Sequence, residues 1–107
     1  MTHSISAAAL LKRIASGDAP AIVDVRSERE FVDGHVPGAV NVPFFRVSKH
    51  LDTIPGDRGA ELVVYCGHGP RAMIAARSLR KHGFTHITYL DGHFSKWRSA
   101  GLREERV

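Results

Sequence analysis

The feature that most constrains the fold is a strand–turn–helix pattern around the single cysteine of the chain. Residues 62–65, Leu-Val-Val-Tyr, run directly into Cys66, and two glycines follow before a helix-forming run begins at Pro70. A short apolar run that is partly β-branched and aromatic is typical of a buried parallel strand. Proline suits the first helical position because the N–H it lacks would have no partner there. The pattern therefore predicts Cys66 at the carboxyl end of a strand, facing a helix N-terminus, where open α/β sheets bind their ligands.

The turn after Cys66 has the properties of an anion site. N–H groups of a turn and of a helix start converge there, and the positive end of the helix dipole adds to them. Because Pro70 has no N–H, we expect the donors to come from the remaining residues, which are Gly67, His68, Gly69, Arg71 and Ala72. A thiolate at such a site has a pKa of about 3.5 to 7.5 instead of about 8.5. We therefore interpret Cys66 as a reactive thiolate, although a lone cysteine is more often buried and inert.

Two side chains of this turn could contact a substrate. Arg71 carries a permanent positive charge that can steer an anion toward the loop. His68 either hydrogen-bonds the substrate or only faces solvent, and the sequence leaves both readings open. The other histidines of the chain are scattered. His82 and His86 are separated by the helix-stopping Gly83, and no Cys/His spacing is that of a zinc site. We predict no metal and no cofactor.

Composition narrows the class of protein. A chain of 107 residues is expected to form one domain over residues 1–107, and 43% hydrophobic with 24% charged residues is ordinary globular composition. One cysteine excludes an internal disulfide and fits a reducing compartment. No apolar run is long enough to cross a bilayer or to form a signal peptide, so we expect a cytoplasmic protein with no membrane partner.

The net charge of +4 does not indicate nucleic-acid binding. The fifteen Lys and Arg residues are scattered, aromatic residues do not alternate with them, and no groove-reading motif is present. A solvated basic surface would still raise the local concentration of small anions such as thiosulfate.

The remaining segments predict alternating strands and helices. We expect strands at residues 2–5, 21–25, 39–41 and 87–90, helices at 7–16, 28–33 and 44–51, a surface loop at 54–60, and a closing helix that carries Phe94 and Trp97. Ser6 is a good N-cap, and Ser27 with Glu30 fits a capping box. Arg26 could instead form an ion pair with Glu30. Residues 34–38 are expected to form a turn in which His35 is bonded to nearby backbone and is not a catalytic base.

Several of these segments resemble one family. Cys66-x-x-Gly69-x-Arg71-Ala72 after a strand resembles the active-site loop of rhodanese-like sulfurtransferases. Further segments resemble the same family in the expected order: residues 22–26 with Glu30-Phe31, residues 34–43, and Leu90-Asp91-Gly92 with Trp97 and Gly101-Leu102. The resemblance extends from about Ile5 to Leu102. One departure is His93, where a second glycine commonly follows Gly92, and it bears on the local turn and not on the family.

The resemblance implies a fold and a reaction. The fold would be α/β, a three-layer α/β/α rhodanese-like arrangement with a mainly parallel five-stranded sheet. The reaction would be a sulfur transfer in which Cys66 takes sulfane sulfur from thiosulfate or a persulfide donor and passes it to a thiophilic acceptor, cyanide or a thiol. Arg71, and in one reading His68, would hold the anionic leaving group.

Three alternatives belong to other classes. The first is a persulfide carrier that serves one protein partner. The second is a cysteine phosphatase or arsenate reductase, whose family loop places five residues between cysteine and arginine where this chain has four. The third is a non-catalytic regulatory domain, which the intact Cys66 loop argues against.

Overall fold

The computed structural model describes residues 3–107, so Thr2, which we placed in the first strand, lies outside the described residues. Over this range the chain forms five strands and four α-helices. The strands are β1 His3–Ile5, β2 Ala21–Asp24, β3 Val40–Asn41, β4 Leu62–Tyr65 and β5 Ile87–Leu90. The helices are α1 Ala7–Ala15, α2 Glu28–Asp33, α3 Pro70–Lys81 and α4 His93–Ser99.

The strands form one sheet in the order β1-β5-β4-β2-β3, and every pairing is parallel. The central strand β4 pairs with β2 through Val23↔Val64 and with β5 through Leu62↔Ile87. The predicted α/β class with a five-stranded parallel sheet is therefore confirmed. Because β4 is central, the loop that follows it opens at the middle of the carboxyl edge of the sheet, where ligands of such sheets bind.

The two faces of the sheet are covered by different helices. Alternate residues of β4 point to opposite faces. Leu62 and Val64 join a buried cluster with the alanine-rich face of α3, whereas Val63 and Tyr65 join a second cluster with α1 and α4. These two apolar clusters make the three layers of the predicted fold, and Cys66 lies in the cluster on the α3 side.

Local capping chemistry set the helix starts as expected. The Ser6 side chain accepts from the Ala9 N–H at 3.1 Å. Ser27 and Glu30 form the predicted capping box, and α2 ends before Gly34 as expected. A side chain at position 34 would meet the ends of the flexible Glu104 and Arg98 side chains, which would have to move aside.

The short helix expected over residues 44–51 is present as 3-10 helix and not as α-helix. The segment forms two short 3-10 helices, Phe44–Lys49 and Leu51–Thr53, separated by His50 with φ −129°. Neither start has a side-chain cap, and Val47 is the buried residue of the pair, so little packing favours a continuous α-helix.

Candidate active site

The residues around Cys66 adopt the predicted strand–loop–helix arrangement. Cys66 follows β4, and α3 begins at Pro70, which occupies the first turn of the helix. Gly69 precedes the helix with φ 132°, a conformation open to glycine and closed to most other residues. This backbone geometry turns the loop back so that the Gly69 N–H donates to the Cys66 sulfur at 2.9 Å.

The surroundings of the sulfur favour the thiolate. Cys66 is buried, with 1% of its surface exposed, and burial alone would raise its pKa. Hydrogen bonding by the His93 side chain and by the backbone N–H groups of Ala72, Gly69 and His68 outweighs burial and lowers the pKa of Cys66 to about 7. A large fraction of the thiol is therefore ionised at neutral pH, in the range expected for a nucleophilic cysteine.

The carbonyl side of the same loop is anchored on α4. The Phe94 N–H donates to the Cys66 carbonyl at 3.0 Å, and the Ser95 N–H donates to the Gly67 carbonyl at 3.1 Å. The first turn of α4 thus finds acceptors for N–H groups that a helix start leaves unpaired. These two hydrogen bonds fix the loop to α4, while the N–H groups of the loop itself face the sulfur.

His93, the first residue of α4, is the site residue that sequence reasoning missed. Its Nδ1 accepts the backbone N–H of Cys66 at 3.2 Å, although the two residues are 27 positions apart. The one available signal was the histidine itself, standing where the family commonly has a glycine. We treated it as a local variation of the turn, and it is a neighbour of the nucleophile.

The ion pairs around the loop correct one expectation. Arg26 does not pair with Glu30. It pairs with the buried Asp24 at 2.7 Å, and Glu30 forms two hydrogen bonds with Arg71, at 2.6 and 3.1 Å. Arg26 lies just past the end of β2, where its guanidinium reaches back to the carboxylate two residues earlier. The pairing with Arg71, helped by the capping hydrogen bonds of Ser27, lowers the pKa of Glu30 to about 2.

Arg71 therefore lies beside the loop with its charge already partnered. Its guanidinium approaches the backbone of Gly67, near the position that a side chain there would occupy. About a third of the Arg71 side chain is exposed, so it can still meet an anion at the rim. His68 is exposed at the tip of the loop, and no hydrogen bond of its side chain distinguishes the two readings left open above.

A pocket of about 330 Å³ lies next to the loop. Gly67 and His68 form one wall, and residues of α4 form the opposite wall. Its lining contains Arg26, Glu30, Gly67, His68, Phe94, Ser95, Arg98 and Ser99. The pocket is large enough for a small molecule and is open to solvent, and it borders the Cys66 loop at Gly67 and His68, although Cys66 itself does not line it.

The other histidines lie away from this chemistry. The Nδ1 of His35 is 2.7 Å from the Phe31 carbonyl, and its ring stacks on that of Phe31, as expected for a structural histidine. Among residues 3–107, no three His, Cys, Asp or Glu side chains are placed to hold a metal ion together. Within the same range, no helix has the length and apolar content needed to span a membrane.

Comparison with known proteins identifies the family. The model of the rhodanese-like domain matches residues 6–100, and the chain belongs to this family. It is 38% identical to the thiosulfate sulfurtransferase GlpE of Shewanella oneidensis over 79 residues, which cover 74% of this chain and 76% of that protein. It is 35% identical to the HTH-type transcriptional regulator Rv0324 of Mycobacterium tuberculosis, over 92% of this chain and 43% of the regulator.

A solved structure agrees with the fold. The crystal structure of a thiosulfate sulfurtransferase from Pseudomonas aeruginosa superimposes with a TM-score of 0.85 at 27% identity, over 97% of this chain and 20% of that one. The chain thus spans less than half the length of two of these relatives. Family membership is therefore established for the domain.

Proposed function

We propose that this domain is a sulfurtransferase that moves sulfane sulfur from an anionic donor to a thiophilic acceptor through a persulfide on Cys66. The observation that carries the proposal is the hydrogen bond from the Gly69 N–H to the Cys66 sulfur at 2.9 Å. A donor aimed at the sulfur stabilises negative charge on the thiolate and on a persulfide formed from it. The names of the relatives in Shewanella and Pseudomonas support the same class of reaction.

In the first step the Cys66 thiolate attacks the outer sulfur of a donor such as thiosulfate. An S–S bond forms at Cys66, the bond between the outer sulfur and the sulfonate breaks, and sulfite leaves with the electron pair. The terminal sulfur of the Cys66 persulfide then carries the negative charge. We expect this charge to accept hydrogen bonds from backbone N–H groups of the loop, those of Gly67, His68, Gly69, Arg71 and Ala72. The Arg71 side chain at the rim would attract the sulfur donor.

In the second step an acceptor nucleophile attacks the terminal sulfur of the persulfide. With cyanide, a C–S bond forms, the S–S bond breaks, thiocyanate leaves and the Cys66 thiolate returns. The pocket beside the loop supports this step because it gives a second reactant access to Gly67 and His68. A thiol on a small molecule or a protein could occupy the same approach, and the free thiol of Cys66 supports a reducing, cytoplasmic setting.

Mass spectrometry of the intact protein tests this proposal. Thiosulfate should add one sulfur atom to the wild-type chain, and cyanide should remove it with release of thiocyanate. Because Cys66 is the sole cysteine, Cys66→Ser should show no added sulfur. Its thiocyanate release should fall on the order of 10³-fold or more, as when a nucleophile is removed.

The control in this experiment is the fold of the variant. Serine is close to cysteine in volume, so the free energy of unfolding of Cys66→Ser at pH 7 should change by no more than about 2 kcal/mol. Thiocyanate release at the wild-type rate from folded Cys66→Ser would refute the assignment. Release by wild type only when a protein partner is supplied would instead favour the persulfide-carrier role.

A further inference from the structure

His93 holds a backbone conformation that its residue type does not favour. Its φ is 53°, and it is the sole non-glycine residue with positive φ among residues 3–107. A residue with a Cβ adopts this region at a cost that glycine would avoid. Such a conformation in the residue next to a reactive group calls for a compensating interaction.

The compensating contact of His93 is with the start of the Cys66 loop. Nδ1 accepts the N–H of Cys66 at 3.2 Å, at the start of the loop. Because Nδ1 accepts, the neutral ring carries its proton on Nε2. That Nε2 lies on the other side of the ring, 3.5 Å from the position that a side-chain carbon on Gly69 would occupy. The imidazole therefore holds the N–H of Cys66 and lies beside the space next to Gly69, the residue whose N–H donates to the sulfur.

We propose that His93 is a positioning residue for the sulfur-transfer loop, which keeps the N–H donors of the loop on the Cys66 sulfur by holding the backbone N–H of Cys66. The inference rests on the proposed function, since it assigns a role within the same site. It explains why a strained histidine occupies a position where a glycine would be conformationally easier. The backbone N–H groups of Gly69 and His68 lower the pKa of Cys66, which agrees with a role in holding the loop in place.

The other charged and titratable groups around the sulfur do not replace His93. Arg71 of α3 is held by Glu30 of α2, and Arg26 after β2 is held by Asp24. His68 is exposed at the loop tip, and the half-buried Tyr89 of β5 has its ring centre 6.3 Å from that of His93. Substitutions at position 93 leave all of these pairs in place, so a change in thiolate chemistry reports on His93 itself.

The test is the pH dependence of Cys66 alkylation by iodoacetamide, which reports on one thiol because the chain has one cysteine. His93→Gly suits the backbone at φ 53° and should fold at least as well as wild type. It should raise the apparent pKa of Cys66 by about 0.5 to 1 unit, which slows alkylation about 3- to 10-fold at pH 6. Sulfur loading from thiosulfate should slow by a similar factor.

His93→Asn is the conservative variant. Asparagine tolerates positive φ, and its side-chain oxygen can accept the Cys66 N–H in place of Nδ1. The apparent pKa of Cys66 in His93→Asn should therefore rise by at most half as much as in His93→Gly. The matched control is His86→Ala, an exposed histidine before the opposite end of β5, which should alkylate with the wild-type profile.

Two results would overturn the inference. One is a pH profile of His93→Gly that superimposes on that of wild type, and the other is a loss in His93→Asn as large as in His93→Gly. Failure of wild-type protein to gain sulfur from thiosulfate, with the His93 alkylation shifts present, would reject the proposed sulfur transfer and leave the role of His93 in place.

Discussion

Two neighbouring strands of the sheet end in groups that can carry negative charge, and the two ends are built in opposite ways. At the end of β2, Asp24 is fully buried and accepts hydrogen bonds from the Arg26 side chain and from the Tyr65 hydroxyl, the latter at 2.7 Å. After β4, Cys66 is also buried, but its sulfur is held by backbone N–H groups of a glycine-containing loop.

We assign a structural role to the first group and the proposed reactive role to the second. The partners of Asp24 are the large Arg26 and Tyr65 side chains together with the Arg26 backbone N–H at 2.9 Å, and the Tyr65 hydroxyl also accepts the Val36 N–H at 3.0 Å. The partners of the Cys66 sulfur are backbone N–H groups of the loop and the His93 side chain, and two loop residues line a pocket. A buried charge surrounded by side chains fixes the fold, whereas one held by backbone donors beside a pocket can meet a reactant.

The largest effect should come from removing the charge at the end of β2. Asp24→Asn leaves the Arg26 guanidinium buried without its carboxylate, which typically costs about 3–5 kcal/mol. Urea denaturation measures this loss, and Glu61→Gln, which breaks the surface pair with Arg13, is the control with a far smaller expected change. An Asp24→Asn chain as stable as wild type would show that the two strand ends are not energetically different.

The next effect tests the size of the loop at the end of β4. One glycine inserted between Gly69 and Pro70 would move the Gly69 N–H off the sulfur and reduce sulfur transfer on the order of 10²-fold. The longer loop should bind phosphate or arsenate better, since a tetrahedral oxyanion needs more donors than one sulfur atom. Thiocyanate release and phosphate binding are the measurements.

The control for the longer loop is a glycine inserted after Gly59, in the exposed segment before β4, which should leave both properties unchanged. We also expect the unmodified chain to hydrolyse aryl phosphates negligibly. Robust phosphatase turnover by that chain would favour the cysteine-phosphatase alternative over sulfur transfer.

A smaller effect links Cys66 to stability. Its pKa is about 7 in the folded chain and about 8.5 when unfolded. The thiolate therefore contributes stability that is fully present above about pH 8.5 and is lost as the pH falls through about 7. The contribution is about 1–2 kcal/mol, so urea unfolding of wild type and Cys66→Ser should diverge between pH 6 and pH 9. Parallel curves for the two chains would contradict the lowered pKa.

The smallest effect concerns the rim of the site. Arg71→Ala should raise the KM for thiosulfate about 2- to 5-fold at low salt, by a margin that shrinks at high salt because exposed charges are screened. Glu30→Gln keeps the capping geometry but frees the Arg71 charge, so it should lower the same KM. An unchanged KM in Arg71→Ala at low salt would remove Arg71 from the substrate site.

Local features of the fold were predictable from the sequence. The strand into Cys66, the proline at the start of α3 and the capping box at Ser27 and Glu30 each depend on residues within a few positions of one another. The same locality explains the position of the loop. Its N–H groups are directed by glycines and a helix start, which the sequence contains explicitly.

The partners of side chains were harder to predict, because they depend on how distant segments pack. Two arginines, Arg26 and Arg71, could pair with Glu30. Only the tertiary arrangement brings Arg71 to Glu30 and leaves Arg26 paired with Asp24. His93 lies 27 residues from Cys66, and no spacing rule joins them. The one hint was that His93 departs from the family pattern next to Gly92, and only the structure shows that it contacts Cys66.

The strand order has a consequence for how the chain is made. Among the described strands, β1 pairs with β5 alone. His3 can therefore pair with Thr88, and β1 can join the sheet, only after β5 has been synthesised. During synthesis the first strand leaves the ribosome long before its partner exists, and its unpaired edge is exposed throughout that interval. Its exposed His3 and Ser4 make this waiting segment polar. Such a segment can remain soluble and unpaired until β5 has been synthesised.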